Sequence, residues 1–472
     1  MAYLIIDQFQ IGLDLRKGPV TSPAQSLRVL RNAIINAGGE IEKRKAFVQV
    51  SATLTGTVGL AGANSEFVVF KDNTAAGTRT AVGVNLFSFG LSTVNSFTKM
   101  VTAQPWGTTY FTIMQRADNT FASYYNGVPI ANTLSHGSDA VAFATKVYVP
   151  RDNNLKFSAI NDPSNWDTAA IPVNGSGFID VSTADAFGSV VLGVERYYQT
   201  LAVFGISSIQ LWNVDPDPRL NSITQTIGGT GLVSRGAKTA FANGDVIYLA
   251  RTGIRSLKAR DASNFAVTTD VGSPVDKYVR EALRAMTPAQ IDKIQCVVEP
   301  STGAFWITLG NKILVLSFYP SSNISAWSEF TLPFEVDYIA VNDYALAIRS
   351  GNNYYVYGGN YSVSAAQAEP IYDDTEALVV TPFLDAKDPA AKKSFRALDA
   401  SVEGAWSIRY NVNPRNPDAW SQTAVFTNET FSGDQIPMQA QGTHIAFEMR
   451  TSTATAAKFS SLVAHYDGKQ AT

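Results

Sequence analysis

The sequence is short of the residues that disulfides, most metal sites and thiol chemistry require. Its 472 residues include one cysteine, Cys296, and three widely separated histidines, His136, His444 and His465. A single cysteine excludes an internal disulfide and a metal site built from several thiolates. Because Cys296 lies in the apolar run IQCVV (294–298), we interpret it as a buried strand residue. The sequence therefore predicts no cofactor and no catalytic or metal site.

Charge is also scarce. Charged residues make up 16% of the chain, against about 25% in an average soluble protein. The 37 lysines and arginines are slightly outnumbered by 40 acids, which gives a net charge of −3. Proteins that hold nucleic acid by releasing its counterions need a basic surplus. We therefore expect any DNA that meets this protein to pass it without specific binding.

Long apolar runs and a secretion signal are missing too. No stretch of about 18 apolar residues occurs, so the sequence predicts no membrane insertion. The first residues, MAYLIIDQFQIGLDL, have neither a basic lead nor a small-residue cleavage site, so they do not resemble a signal peptide. We expect synthesis in the cytoplasm.

What the sequence does contain is a long series of short apolar runs. With 472 residues and 45% hydrophobic residues, two or three domains are expected. From about residue 52 to 360, runs such as EFVVF (66–70) and YFTIM (110–114) alternate with Gly, Asn, Asp and Pro. Turn signals at this spacing indicate an all-β fold. The runs come in pairs that end in an aromatic residue, which predicts a β-propeller of six or seven blades.

One segment has helical spacing instead. Apolar residues recur at helical intervals between Val275 and Met286. Ser273 is the predicted N-cap, and the pair Thr287-Pro288 should end the helix. We predict one or two short helices over about 274–295.

The last hundred residues alternate cleanly again and predict a β-sandwich. A Ser/Ala/Gln-rich linker at 361–370 precedes them. The predicted fold is therefore all-β, with a β-propeller and a C-terminal β-sandwich or platform domain. The predicted boundaries are 1–50 for N-terminal strands and a hairpin that are part of the platform, 51–365 for the propeller and 366–472 for the sandwich.

The most distinctive local pattern is SLRVLRNAIINAGGEIEKRKAFV at 26–48. We predict a hairpin that turns at Gly38 and Gly39, both with positive φ. Its second strand would carry three adjacent cations. Because strand side chains alternate, Lys43 and Lys45 should share one face and Arg44 the other.

This stretch resembles the N-terminal signature of the nozzle, or tubular tail protein B-like, proteins of short-tailed bacteriophages. In that family a segment with Asn, a Gly-bearing turn and a Lys-Arg-Pro-Gly-like run recur near the start of the chain. Here the run reads Lys43-Arg44-Lys45-Ala46, without the Pro-Gly half. Three further segments are similar to the family: residues 227–257, residues 156–166 and residues 381–385.

The resemblance implies a structural protein of the virion tail rather than an enzyme. Six subunits would form a ring below the dodecameric head-to-tail adaptor, close the head and provide the conduit for DNA ejection, with tail fibres as further partners. It also implies a platform built from the N-terminal and C-terminal segments, with the propeller outside. On this basis we predict that Glu40, Glu42, Lys43, Arg44 and Lys45 contact a neighbouring subunit or the adaptor. A DNA site is the weaker interpretation, because no second basic cluster is visible in the sequence.

The alternative is a carbohydrate-binding or glycan-cleaving propeller. Five tryptophans are candidate stacking platforms for sugars: Trp106, Trp166, Trp212, Trp327 and Trp420. A hydrolase would need two carboxylates about 5 to 10 Å apart. Loop acids are plentiful, but none lies in a repeated Ser-x-Asp-x-Gly-x-Thr-Trp box.

Overall fold

The structure is a computed structural model. It describes residues 2–50, 56–63, 66–71, 84–88, 97–168, 175–182, 190–242, 244–263, 270–359, 369–431 and 433–468. The predicted boundary at 365/366 and most of the predicted linker lie outside these ranges. No helix within them has the length and apolar character needed to cross a membrane.

Short strands build almost the whole described chain. Seven precede the propeller: β1 (Ala2–Ile6), β2 (Gly12–Leu13), β3 (Ser26–Leu27), β4 (Val29–Arg31), β5 (Ala33–Ile35), β6 (Ile41–Lys43) and β7 (Phe47–Gln49).

The next twenty-five strands form seven groups of three or four adjacent strands, which we call blades 1 to 7. Blade 1 has β8 (Thr57–Ala63), β9 (Glu66–Lys71) and β10 (Val84–Ser88); blade 2 has β11 (Phe97–Trp106), β12 (Thr109–Arg116), β13 (Phe121–Tyr125) and β14 (Val128–Ile130). Blade 3 has β15 (Val141–Phe143), β16 (Lys146–Arg151), β17 (Asn154–Phe157) and β18 (Gly177–Asp180); blade 4 has β19 (Val191–Tyr197), β20 (Thr200–Gly205), β21 (Ser208–Asn213) and β22 (Ser222–Gly228). Blade 5 has β23 (Lys238–Phe241), β24 (Asp245–Ala250) and β25 (Gly253–Ser256); blade 6 has β26 (Cys296–Val298), β27 (Phe305–Leu309), β28 (Lys312–Tyr319) and β29 (Ile324–Thr331). Blade 7 has β30 (Tyr338–Val341), β31 (Leu346–Ser350) and β32 (Asn353–Tyr357).

The blades close into a ring. The first strand of each blade contacts the first strand of the next, and β30 of blade 7 returns to β8 of blade 1. At this closure a Cβ on Gly62 would lie 2.2 Å from the Val341 carbonyl oxygen, so only glycine permits the approach. The propeller predicted from the sequence is confirmed, with seven blades.

Apolar side chains fill the space between neighbouring blades all round this ring. Blades 2 and 3, for example, enclose Phe111, Val147 and Trp166, whereas blades 6 and 7 enclose Trp306, Phe330 and Ile348. Burial on both faces explains why many blade strands read as continuous apolar runs rather than as an alternating pattern.

An N-terminal strand completes the last blade. β7 pairs with β32 through Phe47↔Tyr357 and Tyr355↔Gln49. Phe47 packs on Trp306 and Tyr357, with ring centroids 6.2 and 5.2 Å away. The chain thus enters the propeller at the outer edge of blade 7, and strands about 300 residues apart share one sheet.

The C-terminal strands form the second unit, and they do so together with the N-terminal strands. They are β33 (Ala377–Val380), β34 (Lys393–Glu403), β35 (Trp406–Asn411), β36 (Ala424–Phe426), β37 (Ile436–Gly442), β38 (Ala446–Thr451) and β39 (Lys458–Gly468). One sheet has the order β37-β34-β39-β6-β5, with β1 also paired to β39. We call the strands of this sheet, together with β4, β33, β38, β35 and β36, the platform. Trp406, Phe459 and Phe9 pack between its sheets.

The second platform sheet is continuous with blade 6. Its strand order is β26-β27-β28-β29-β4-β33-β38-β35-β36, and β4 is the strand that joins the two parts. Glu329 of β29 lies opposite Arg31 of β4, which in turn lies opposite Leu378 of β33. Propeller and platform are therefore connected by hydrogen-bonded strands rather than by a linker alone.

Three α-helices lie in the described chain: α1 (Leu257–Ser263), α2 (Asp276–Ala285) and α3 (Pro288–Ile291). The predicted helical segment is present, and α1 was not predicted. Ser273 is not the N-cap of α2; Val275 holds that position without a side-chain hydrogen bond. Thr287 caps α3 together with Gln290 in a reciprocal capping box.

Candidate functional site: the junction of the N-terminal hairpin with the C-terminal strands

The predicted hairpin is present as β5 and β6, in the register Ala33↔Lys43 to Ile35↔Ile41. The Asn36 side-chain oxygen accepts hydrogen bonds from the amides of Gly38 and Glu40, both at 3.0 Å. Gly39 has φ +84°, whereas Gly38 does not have a positive φ. One glycine, not two, supplies the left-handed conformation of the turn.

Lys43 lies in the interior of the junction. Its ammonium group donates to the carbonyl oxygen of Asp373 at 2.6 Å and to that of Thr453. The side chain is buried, and burial is the main reason why its pKa lies below the ordinary value. Lys43 therefore joins the hairpin to two segments of the C-terminal chain.

Arg44 is buried beside it. Its Nη1 donates to the Lys45 carbonyl oxygen at 2.7 Å and to the Asp373 carboxylate at 3.1 Å. The guanidinium also lies 5.2 Å from the centroid of the Phe47 ring. This contact connects the platform hairpin to the strand that completes blade 7.

These positions correct two sequence-based predictions. Lys43 and Arg44 are 1% exposed, so in this fold neither presents its side chain to a partner. The predicted alternation over Lys43 to Lys45 is also wrong, because β6 ends at Lys43. The physical reason is that both cations find internal acceptors on a segment more than 300 residues away.

The other three predicted interface residues are partly exposed. Glu40 accepts hydrogen bonds from Ser460 and from Asn36, and these lower the pKa of its carboxyl group. Glu42 receives a longer hydrogen bond from Asn36, at 3.4 Å. Lys45 Nζ lies 5.6 Å from the centroid of Tyr357. Their contact with a partner stays a prediction.

Asn32 connects the hairpin to blade 6, and its importance was not recognised from the sequence. It is buried and has φ +54°, a conformation that asparagine tolerates better than most residues. Its side-chain oxygen accepts from the amide of Thr331 at 3.0 Å, and its Nδ2 donates to the Glu376 carbonyl oxygen at 2.8 Å. In the sequence, the one local feature that could have indicated this role is an asparagine directly before an apolar strand.

Beside the junction, a row of charged side chains crosses the continuous sheet. Arg409 makes a two-point contact with Glu448, Nε–Oε1 at 2.6 Å and Nη2–Oε2 at 3.0 Å. Arg450 pairs with the same glutamate and with Glu376. The alternating signs follow from strand register, because Arg409 lies directly opposite Glu448.

The propeller axis holds a second set of charges. Lys238 contacts Asp139 at 2.6 Å, Lys293 contacts Asp337 at 2.6 Å, and Asp292 receives both Arg235 and Lys99. Burial alone would lower the pKa of Lys238, but the nearby carboxylates raise it above the ordinary value. These pairs surround a cavity of ≈ 250 Å³, and we interpret them as internal contacts between blades.

Cys296 and three of the candidate tryptophans lie in the core. Cys296 is buried in β26, where burial raises the pKa of its thiol. Three of the five tryptophans proposed as sugar platforms, Trp166, Trp212 and Trp327, are buried in the core, so they cannot stack on a sugar. Within the described ranges, no three His, Cys, Asp or Glu side chains converge in a way that could hold a metal ion.

No protein-family model matches the chain, and no curated protein matches it significantly. Solved structures do resemble it. The Neurospora crassa Pan2 WD40 domain is 10% identical, with a TM-score of 0.39, over 66% of this chain and 90% of that one. YCF48 bound to D1 peptide is 9% identical, with a TM-score of 0.39, over 72% of this chain and 99% of that one.

Proposed function

We propose that the protein is the nozzle subunit of a short bacteriophage tail, a structural virion protein that closes the head and forms the conduit for DNA ejection. In this proposal it acts as a homohexamer attached to a dodecameric head-to-tail adaptor and carries or contacts tail fibres. The observation that supports it best is the platform, in which the N-terminal hairpin of β5 and β6 joins the C-terminal sheet through pairing of β6 with β39. This is the arrangement that the family resemblance implies.

The link between platform and propeller suits a ring under mechanical load. Because β4 hydrogen-bonds to both β29 and β33, force applied to the propeller passes through a sheet. A ring subunit that must hold its shape during DNA ejection gains from such a connection, since flexible linkers allow domain motion.

The platform has an exposed apolar strand, β1, that is suited to contact with another subunit. On β1, Tyr3 and Ile5 are 63% and 50% exposed. This strand is paired to β39 along one edge; its other edge has no partner among the described strands. Unpaired edges with exposed apolar side chains readily accept another chain. We place a subunit contact here.

The charge balance is compatible with a DNA conduit. A lumen rich in lysine and arginine would pair with phosphates and retard the DNA, whereas this chain has a net charge of −3. DNA would pass without sequence-specific contacts.

Oligomeric state tests this proposal directly. Purified protein is examined by mass photometry, alone and with its adaptor, and particle images give the symmetry. We expect six-fold rings in the presence of the adaptor. The variant Ile5→Asp should reduce ring formation, while Val128→Asp should not, because Val128 is also exposed, at 64%, but lies on blade 2.

A monomer under both conditions would refute the proposal. Saturable binding on a glycan array, or release of sugar from a polysaccharide, would instead support the carbohydrate-directed alternative.

A further inference from the structure

The fold assembles a basic cluster that the sequence does not reveal. Arg116 ends β12, Arg151 ends β16 and Lys156 lies in β17. They surround His136, which follows a single turn of 3-10 helix between blades 2 and 3. Arg116, His136 and Arg151 line a groove of ≈ 630 Å³. The sequence shows no second basic cluster, and the fold brings this one together from separate strands.

Little negative charge compensates these cations. All three are half-buried. Arg151 has a contact of 3.6 Å with Asp152, whose side chain is 84% exposed, but no ion pair of Arg116 or Lys156 is found in the described part of the chain. Asp152 also lines the groove. Asp118, two residues from Arg116, is exposed, and its pKa is lowered first by hydrogen bonds from Thr120 and then by Arg116. Surface carboxylates of this kind are well solvated and interact weakly.

The cations at the propeller axis differ from those of the groove in their carboxylate partners. There, each of the cations Lys99, Arg235, Lys238 and Lys293 has a carboxylate within 4 Å. In the groove, Arg151 has only the exposed Asp152, at 3.6 Å, and Arg116 and Lys156 have no ion pair among the described residues. These half-buried cations leave a positive potential that can be satisfied by an anionic ligand.

The behaviour of His136 agrees with a positive potential at the base of the groove. Its pKa is lowered to about 4, first by burial and then by Arg151, Arg116 and Lys156. The imidazole is therefore neutral at pH 7. Its N–H group donates to the backbone of Ile130, so the other ring nitrogen can accept a hydrogen bond from a protonated ligand oxygen.

The groove also has the size and donors of a small-molecule site. Its volume lies within the range of about 300 to 1,000 Å³ that is usual for such sites. One nitrogen of each arginine is held in place, Arg116 by Thr120 at 3.3 Å and Arg151 by Thr133 at 3.2 Å. Arg116 also hydrogen-bonds to the Tyr124 side chain and lies 5.8 Å from the centroid of the Phe97 ring. A guanidinium group carries five N–H donors, so each arginine keeps others for hydrogen bonds to oxyanions. Phe121 supplies an aromatic wall.

We propose that the groove between blades 2 and 3 binds a phosphomonoester group through Arg116 and Arg151, with Lys156 and His136 nearby. The rest of the ligand, a sugar or a nucleoside, would lie against Phe121. This inference goes beyond the proposed nozzle function and does not depend on it.

Isothermal titration calorimetry tests the site with inorganic phosphate, glucose 6-phosphate and adenosine monophosphate at low salt. Saturable binding is expected, and the tighter organic phosphate identifies the sugar or the nucleoside as the ligand class. Arg116→Gln and Arg151→Gln should each weaken binding at least about tenfold, since hydrogen bonds to charged groups contribute more than neutral ones. Lys258→Gln, which removes an exposed cation on α1, should leave it unchanged. Circular dichroism checks that each variant is folded.

Nuclear magnetic resonance of the histidine side chains gives an independent reading, with His136→Gln used for assignment. Bound phosphate should raise the pKa of His136, because the anion offsets the three cations. The proposal would be overturned if none of the three probes bound saturably, or if both arginine variants bound phosphate as tightly as the original protein. An unchanged pKa of His136 on addition of phosphate would also overturn it.

Discussion

Lys43 shows how a residue that looks solvent-exposed in the sequence becomes part of the interior. Its ammonium group is buried and donates to the carbonyl oxygens of Asp373 and Thr453. A buried charge costs free energy unless its hydrogen bonds are satisfied. The two carbonyl groups satisfy it, so Lys43 holds the ends of the chain together and is not a free cation.

We therefore expect Lys43→Met to destabilise the subunit. The carbonyl oxygens of Asp373 and Thr453 would lose their donor, at a cost of about 2 to 4 kcal/mol in the free energy of unfolding. Urea denaturation followed by circular dichroism measures it. Lys17→Met, which changes an exposed lysine, is the control and should stay within about 0.5 kcal/mol of the original protein. Equal stability of the two variants would refute the role of Lys43.

Glu448 should make the stability of the fold depend on pH. Burial would raise the pKa of its carboxyl group, but hydrogen bonds from Arg409 and Arg450 lower it below the ordinary value of 4.5. A carboxyl group with a lowered pKa stabilises the fold above its unfolded-state pKa, and this contribution is lost as pH falls through the folded-state value.

The free energy of unfolding should thus decline as the pH falls below 4.5. Glu448→Gln should be less stable at pH 7 and should show a smaller decline. Urea titrations of both proteins between pH 3 and pH 7 measure the difference. Parallel pH profiles would show that Glu448 does not contribute.

At the scale of elements, β7 is the strand on which closure of the propeller depends. It adds the outer strand to blade 7, and Phe47 packs on Trp306 and Tyr357. Such closure replaces an exposed edge by a paired one and ties the start of the propeller to its end.

Replacing Phe47 by alanine removes these ring contacts and should cost up to about 3 kcal/mol. Hydrogen exchange should become faster in β7 and β32, while blade 3 keeps its protection. Phe431→Ala is the matched control, because Phe431 is 51% exposed. Unchanged exchange in β32 would contradict a closing role for β7.

At the scale of the whole molecule, the propeller and the platform share one sheet and one apolar cluster. That cluster includes Phe305 and Trp327 of blade 6 together with Trp406 and Phe459 of the platform. Two units joined in this way should unfold together rather than in sequence.

We expect a single thermal transition, with coincident midpoints from circular dichroism and tryptophan fluorescence. Trp406→Phe together with Trp420→Phe removes the two tryptophans of the C-terminal strands and their connections, and Trp306→Phe removes one tryptophan of blade 6. If the two variants gave fluorescence midpoints several degrees apart, the units would be independent.

The sequence by itself determined the class of the fold. Runs of five to eight apolar residues between turn residues predict strands, and their spacing predicts blades, because both signals are local. The α2–α3 segment was predicted for the same reason: Val275 and Val279 follow helical spacing, and Thr287-Pro288 is a local stop and start signal.

Only the tertiary structure decided which strands lie side by side. β6 pairs with β39, and β7 pairs with β32, although hundreds of residues separate the partners. Alternation in a strand specifies which side chains share a face, but it does not identify the neighbouring strand. For this reason the sequence could not show that Lys43 and Arg44 are buried, or that Arg116, Arg151 and Lys156 converge on His136.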